Sequence, residues 1–91
     1  MTVERVFELI NNLDVREPLR KYAPQWSIVV VNAAGEVLDV IKTKEWNFIV
    51  QRKYMEMYPR SVQFVATPGM YKTVDELQAA IDDCVWAHRN A

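Results

Sequence analysis

The chain has 91 residues, of which 51% are hydrophobic and 25% charged, and only two are glycines. These values predict one globular domain over residues 1–91 and exclude a disordered or low-complexity chain. The single cysteine, Cys84, excludes an internal disulfide framework and most zinc folds. The longest strongly apolar stretch, "IVVV" at 28–31, is far shorter than a membrane span, and the acidic residues in "MTVERVFELI" argue against a signal peptide. We therefore expect a cytoplasmic protein.

The net charge of −1 is distributed unevenly along the chain. Residues 40–72 hold six basic and two acidic residues, together with six of the ten aromatic residues, whereas residues 73–91 hold one basic and four acidic residues. The middle third is therefore a candidate contact surface, although charge blocks of this size are also typical of solvated faces.

The N-terminal part of the chain predicts two helices. Apolar residues recur there at spacings of three and four, which is typical of an amphipathic helix. Asp14 is expected to cap a short second helix, which Pro24 ends. The apolar stripe of the first helix consists of Val3, Val6, Phe7, Ile10 and Leu13.

The segment "QWSIVVVNAAGEVLDVI" predicts a β-hairpin. Valine and isoleucine favour strands, and "NAAG" supplies turn residues in which Gly35 is free to adopt positive φ. Because "IVVV" does not alternate with polar residues, we expect the first strand to be central and covered on both faces. Asp39 indicates that the second strand lies nearer an edge. The run "SVQFVA" at 61–66 predicts a third strand.

Two more helices are predicted downstream. Thr43 is expected to cap a helix over 44–57, which Pro59 ends. Thr73 and Glu76 form a capping box for a last helix over 74–88. The element order is thus α-α-β-β-α-β-α. A right-handed crossover makes strands two and three parallel, so we predict an α+β fold with a three-stranded mixed sheet in the order 2-1-3, packed with helices.

A helical wheel divides the third helix into two faces. The outer face holds Phe48 and Met55 with Arg52 between them, and Tyr58 lies at its flank. Either the N-terminal helices bury this face, or it is an apolar patch, rimmed by Arg52 and Arg60, that binds another molecule. The other face is expected to pack in the core and consists of Trp46, Ile49, Val50, Tyr54 and Met57.

The last helix has a similar division. Trp86 points away from the buried stripe, near Asp75 and Asp82, and is a second candidate binding residue unless it packs on the hairpin or on the C-terminal tail. The buried stripe is predicted to consist of Val74, Leu77, Ile81 and Val85.

The sequence contains none of the usual catalytic or cofactor-binding arrangements. Cys84 and His88 supply two ligands on one helical face, which are too few for a structural zinc site. Asp82 and Asp83 are adjacent, so their side chains diverge by about 100° on a helix and cannot act as a facing carboxylate pair. We therefore predict no metal, no cofactor and no enzymatic activity.

The pattern favours a small non-catalytic protein-binding module, of a type common in phages and mobile elements. It would dock on a larger cytosolic protein as an inhibitor, adaptor or regulatory subunit, or form a homodimer. The predicted partner-binding residues are Phe48, Arg52, Met55, Tyr58, Arg60 and Trp86. The alternative is a weak single-stranded nucleic-acid binder that uses segment 42–72, against which the isoelectric point of about 5.8 argues. Its contacts would be Lys42, Lys44, Arg52, Lys53, Arg60 and Lys72.

Overall fold

The structure is a computed structural model that describes residues 1–11, 26–43 and 47–90. Its elements are α1 (Val3–Ile10), β1 (Trp26–Asn32), β2 (Val37–Thr43), α2 (Phe48–Met57), β3 (Ser61–Ala66) and α3 (Val74–Arg89). This order matches the predicted α+β fold. The short second helix expected between Asp14 and Pro24 lies outside the described residues.

β1 is the central strand of a three-stranded sheet with the order β2-β1-β3. It pairs antiparallel with β2, where Ile28 lies opposite Ile41, and antiparallel with β3, where Ile28 lies opposite Val65. The two outer strands therefore run parallel to each other, as the crossover predicts, but they are not neighbours. Because both hydrogen-bonded pairs are antiparallel, the sheet is antiparallel and the predicted mixed sheet is wrong in this respect.

One face of the sheet, which we call the core face, packs against α1 and α3. Side chains alternate along a strand, so Val29 and Val31 of β1 point to this face. Both are fully buried against the apolar sides of the two helices. The predicted stripes are confirmed at Val6 and Ile10 of α1 and at Leu77 and Ile81 of α3, whereas Leu13 lies outside the described residues. The buried core on this face consists of Val6, Ile10, Val29, Val31, Val37, Ala66, Leu77 and Ile81.

The predicted turn and cap signals have the expected hydrogen bonds. Gly35 has a φ of 85°, and the Asn32 side chain accepts bonds from the backbone of the same turn, which closes the hairpin. Thr73 accepts a bond from the Glu76 N–H (3.2 Å) and starts α3. The Glu76 carboxylate in turn accepts a hydrogen bond from the Lys72 N–H (3.0 Å). In a standard capping box the donor would be the N–H of the cap residue itself, Thr73.

The opposite side of the sheet, which we call the second face, is also covered. Ile28 and Val30 point to it and are fully buried, so β1 is enclosed on both faces as its unbroken apolar run predicts. Asp39 lies opposite Val30 in the register and shares this face. The Tyr58 hydroxyl donates a hydrogen bond to Asp39 Oδ2 (2.5 Å), so the C-terminal end of α2 reaches the second face.

The α2 helix, which is the third helix predicted from the sequence, begins later than predicted. It starts at Phe48 rather than at residue 44, because the Asn47 side chain accepts a hydrogen bond from the Val50 N–H (2.9 Å) and caps the helix. Thr43, the predicted cap, is instead the last residue of β2. Residues 44–46, which include Trp46, lie outside the described part of the chain.

The predicted core face of α2 is also wrong. No residue of α2 is buried: Ile49 is 80% exposed and Met57 is 56% exposed, although both were expected in the core. Val50, Gln51 and Tyr54 form the half-buried side. The helix is therefore rotated about its axis relative to the prediction, and the bond from Tyr58 to Asp39 joins its C-terminal end to the sheet.

Candidate functional site

The outer side of α2 forms an exposed apolar surface, which we define by Phe48, Arg52 and Met55 and call the α2 surface. Phe48 is 77% exposed and Met55 is 55% exposed, so the described part of the chain leaves them open to solvent. Their spacing of seven residues places them on one side of the helix. Together with Gln51 and Arg52 they line a groove of about 550 Å³. Two apolar walls beside one guanidinium make this groove suited to an apolar side chain with a neighbouring carboxylate.

The charges around the α2 surface are mainly positive. Arg52, Lys53 and Arg60 are exposed, against the single acidic side chain of Glu56 on the helix. The Lys53 ammonium lies 5.9 Å from the centre of the Tyr54 ring. Among the described residues, the one ion pair joins Arg5 and Glu8 of α1, so the Arg52 guanidinium has no carboxylate partner there. The Arg52 guanidinium can therefore pair with an acidic group on another molecule.

Tyr58 and Arg60, two predicted binding residues, differ from the rest of the set. The Tyr58 side chain is half-buried and its hydroxyl is bonded to Asp39, which raises the pKa of Tyr58. It therefore orients α2. Arg60 is exposed but has a φ of 65°, which costs a non-glycine residue about 1–2 kcal/mol. Its charge remains available at the start of β3.

A second exposed apolar residue lies on α3, where we define the Trp86 surface by Asp75, Asp82 and Trp86. All three are exposed, and Trp86 is 68% exposed. A shallow groove of about 270 Å³ separates this part of α3 from the hairpin turn at Gly35. Arg89 Nη2 donates a hydrogen bond to the Ala33 carbonyl across that groove (2.8 Å) and holds the helix end to the turn. The Trp86 surface thus combines a large ring with carboxylates.

The basic residues proposed for nucleic-acid binding do not form one surface. Lys42 lies opposite Ser27 in the register and points to the core face, whereas α2, which carries Arg52 and Lys53, reaches the second face. Lys44 lies outside the described residues. The set is therefore divided between opposite sides of the sheet.

Lys42 has a structural role that the sequence did not predict. Its ammonium donates hydrogen bonds to the buried Ser27 hydroxyl (2.8 Å) and to the Leu9 carbonyl in the last turn of α1. A cation at a helix C-terminus is stabilised by the helix dipole and by the free carbonyls there. Lys42 thus links α1 to β2 and should not be counted as a free surface charge.

Gln63 was also missed by sequence reasoning. It lies opposite Val30 on the second face, and both polar atoms of its amide are buried without a hydrogen-bond partner among the described residues. Such groups are rare in folded proteins because burial without a bond costs free energy. No signal in "SVQFVA" distinguishes this position from an ordinary solvent-facing strand residue.

Cys84 is half-buried on α3, and burial raises the pKa of its thiol. A raised thiol pKa lowers the thiolate fraction at neutral pH, so the residue is a poor nucleophile. Within residues 1–11, 26–43 and 47–90, no three His, Cys, Asp or Glu side chains come together as a metal site. None of the helices in these ranges has the length and apolar character needed to cross a membrane.

Comparisons with protein-family models, with curated proteins and with solved structures find no match for this chain.

Proposed function

We propose that this protein is a small protein-binding module that docks on a larger protein through the α2 surface. The observation that carries the proposal is the exposure of Phe48 (77%) and Met55 (55%) beside Arg52 on one side of a helix. Aromatic residues, methionine and arginine are the side chains enriched in the centres of protein interfaces. As an inhibitor, adaptor or regulatory subunit, the module would act by occupying a site on its partner.

The packing of α2 supports this use of the helix. A short helix without a buried face gains little stability from its own apolar side chains, because most protein helices are stabilised by tertiary packing. Phe48 and Met55 are both more than half exposed. These side chains therefore contribute more free energy to a complex that covers them than to the isolated fold.

The groove and its charges define the partner chemistry. A groove of about 550 Å³ beside Phe48 and Met55 accepts an apolar side chain. A carboxylate next to that side chain would pair with Arg52 through two parallel hydrogen bonds. We therefore expect the partner to present an apolar residue flanked by Asp or Glu.

Affinity capture from a lysate of the source cells, with and without nuclease, tests the proposal. The bait is the tagged wild-type protein, compared with Phe48→Glu. We expect one stoichiometric protein that resists nuclease and is lost with Phe48→Glu. Recovery of nucleic acid, or loss of the captured protein after nuclease, would favour the nucleic-acid alternative.

Met57→Glu is the matched control for this experiment. It introduces the same charge on the opposite side of α2, at a side chain that is 56% exposed and lies outside the grooves that Phe48 lines. Circular dichroism should show both variants folded. Retention of the partner by Met57→Glu and its loss with Phe48→Glu would locate the contact on the α2 surface.

A further inference from the structure

We infer that the α2 surface also binds the Trp86 surface of a second copy of the chain, in a head-to-tail contact. The inference rests on the proposed docking role of the α2 surface and names an occupant for it. In this contact, the ring of Trp86 enters the groove between Phe48 and Met55. Asp82 of the same copy pairs with Arg52.

The two surfaces have complementary chemistry. The α2 surface offers an apolar groove and a guanidinium without an ion-pair partner among the described residues. The Trp86 surface offers a ring that is 68% exposed, with Asp75 and Asp82 on the same side of α3. Tryptophan and arginine are the side chains that most often dominate binding energy at interfaces. Each surface thus supplies what the other lacks.

The fold prevents the two surfaces from meeting within one molecule. α3 packs on the core face of the sheet, whereas the C-terminal end of α2 reaches the second face through Tyr58. Their complementarity can therefore be satisfied only between copies. The net charge of −1 imposes little overall repulsion between two copies.

The contact is heterologous, because it joins two different surfaces. A heterologous contact leaves one α2 surface and one Trp86 surface free at the ends of each dimer, so it continues into short chains or closes into a ring. A larger partner that occupies the α2 surface would compete with this self-association. Binding of the partner to this groove would then change the oligomeric state of the protein.

Sedimentation velocity and equilibrium on the full chain test the inference. We expect wild type to associate as its concentration rises. Phe48→Glu and Trp86→Ala should each weaken association by about 30-fold or more, since each removes a central anchor. Both side chains are exposed, so the variants are expected to fold, and circular dichroism checks this. Met55→Lys replaces Phe48→Glu if that variant is unfolded.

The decisive measurement mixes the two variants. Phe48→Glu keeps an intact Trp86 surface and Trp86→Ala keeps an intact α2 surface, so their mixture should give a 1:1 dimer that does not grow further. The charge exchange Arg52→Glu with Asp82→Arg in one chain should likewise restore association that each single change weakens. These two results would support the head-to-tail contact.

Other outcomes would overturn it. A wild type that stays monomeric up to about 1 mM, or single variants that associate as wild type does, would exclude the contact. A mixture that stays monomeric would show that any self-association uses one surface on both copies. Lysate capture of a different protein that is lost with Phe48→Glu would still stand, so the two proposals fail separately.

Discussion

The two sides of the sheet use their helices differently. On the core face, α1 and α3 bury Val6, Ile10, Leu77 and Ile81 completely. On the second face, α2 buries no residue and is attached at its C-terminal end by a hydrogen bond from Tyr58. Apolar side chains on a helix thus have two possible uses, folding and binding. Exposure, rather than composition, separates these uses, and four experiments test the contrast.

The largest effect is expected from a matched pair of truncations, one on each side. Leu77→Ala removes a fully buried side chain and leaves a cavity, so it should lower the free energy of unfolding by about 2–5 kcal/mol. Ile49→Ala removes an exposed side chain and should change it by less than about 0.5 kcal/mol. Urea denaturation followed by circular dichroism measures both. Equal losses would mean that α2 is packed after all.

The next effect concerns the link between α1 and β2. Lys42→Met removes the hydrogen bonds to Leu9 and Ser27 while it keeps a long side chain, and it leaves the Ser27 hydroxyl buried without that donor. We expect the free energy of unfolding to fall by about 1–3 kcal/mol. Lys72→Met, at an exposed lysine, is the control and should stay within about 0.5 kcal/mol of wild type. If Lys42→Met leaves the free energy of unfolding unchanged, Lys42 does not stabilise the link between α1 and β2.

A gain in stability is expected at Gln63. Gln63→Met replaces a buried amide that has no hydrogen-bond partner in the described part of the chain with an apolar side chain of similar length. Because the unpaired amide is removed, the free energy of unfolding should rise by about 1 kcal/mol. Gln78→Met, which instead removes an exposed bond to Asp82 (3.0 Å), is the comparison and should give no gain. Thermal denaturation distinguishes the two, and a destabilised Gln63→Met would show that the amide is paired in solution.

The smallest effect is a pH dependence at the attachment of α2. The hydrogen bond to Asp39 raises the pKa of Tyr58 above its usual value of 10.0. The folded state therefore favours the protonated phenol, so the stabilisation is fully present below pH 10 and is lost as the pH rises through the raised pKa. Tyr58→Phe should be less stable than wild type at neutral pH, and this difference should disappear as the pH rises through the raised pKa of Tyr58. A difference that does not depend on pH would exclude the hydrogen bond as its cause.

Local patterns predicted most of the fold. The valine-rich hairpin, the turn at Gly35 and the cap at Thr73 depend on neighbours in the sequence, and the structure confirms each of them. The antiparallel pairing of β1 with β3 was implied by the strand order, but the label of a mixed sheet did not follow from it. The directions of the three strands were therefore predicted correctly, although the sheet was wrongly described as mixed.

The orientation of α2 could not be predicted in the same way. Apolar residues lie on several sides of this helix, so the wheel alone did not show which side faces the sheet. A long-range bond from Tyr58 to Asp39 holds the helix in a different position. The role of Lys42 likewise depends on a partner far along the chain. The burial of the Gln63 amide is not indicated by its neighbours in the sequence. The sequence left open whether Phe48, Met55 and Trp86 are exposed, and the structure shows that all three are.

The burial of Val29 and Val31 under α3 has a consequence for folding. The hairpin of β1 and β2 closes a short loop, so it forms with little loss of chain entropy. Leu77 and Ile81, which cover the core face, are supplied by the last helix along the chain. During synthesis, the core face of β1 is therefore not closed until α3 has been made. In that interval Val29 and Val31 lack this cover and expose apolar surface that favours aggregation.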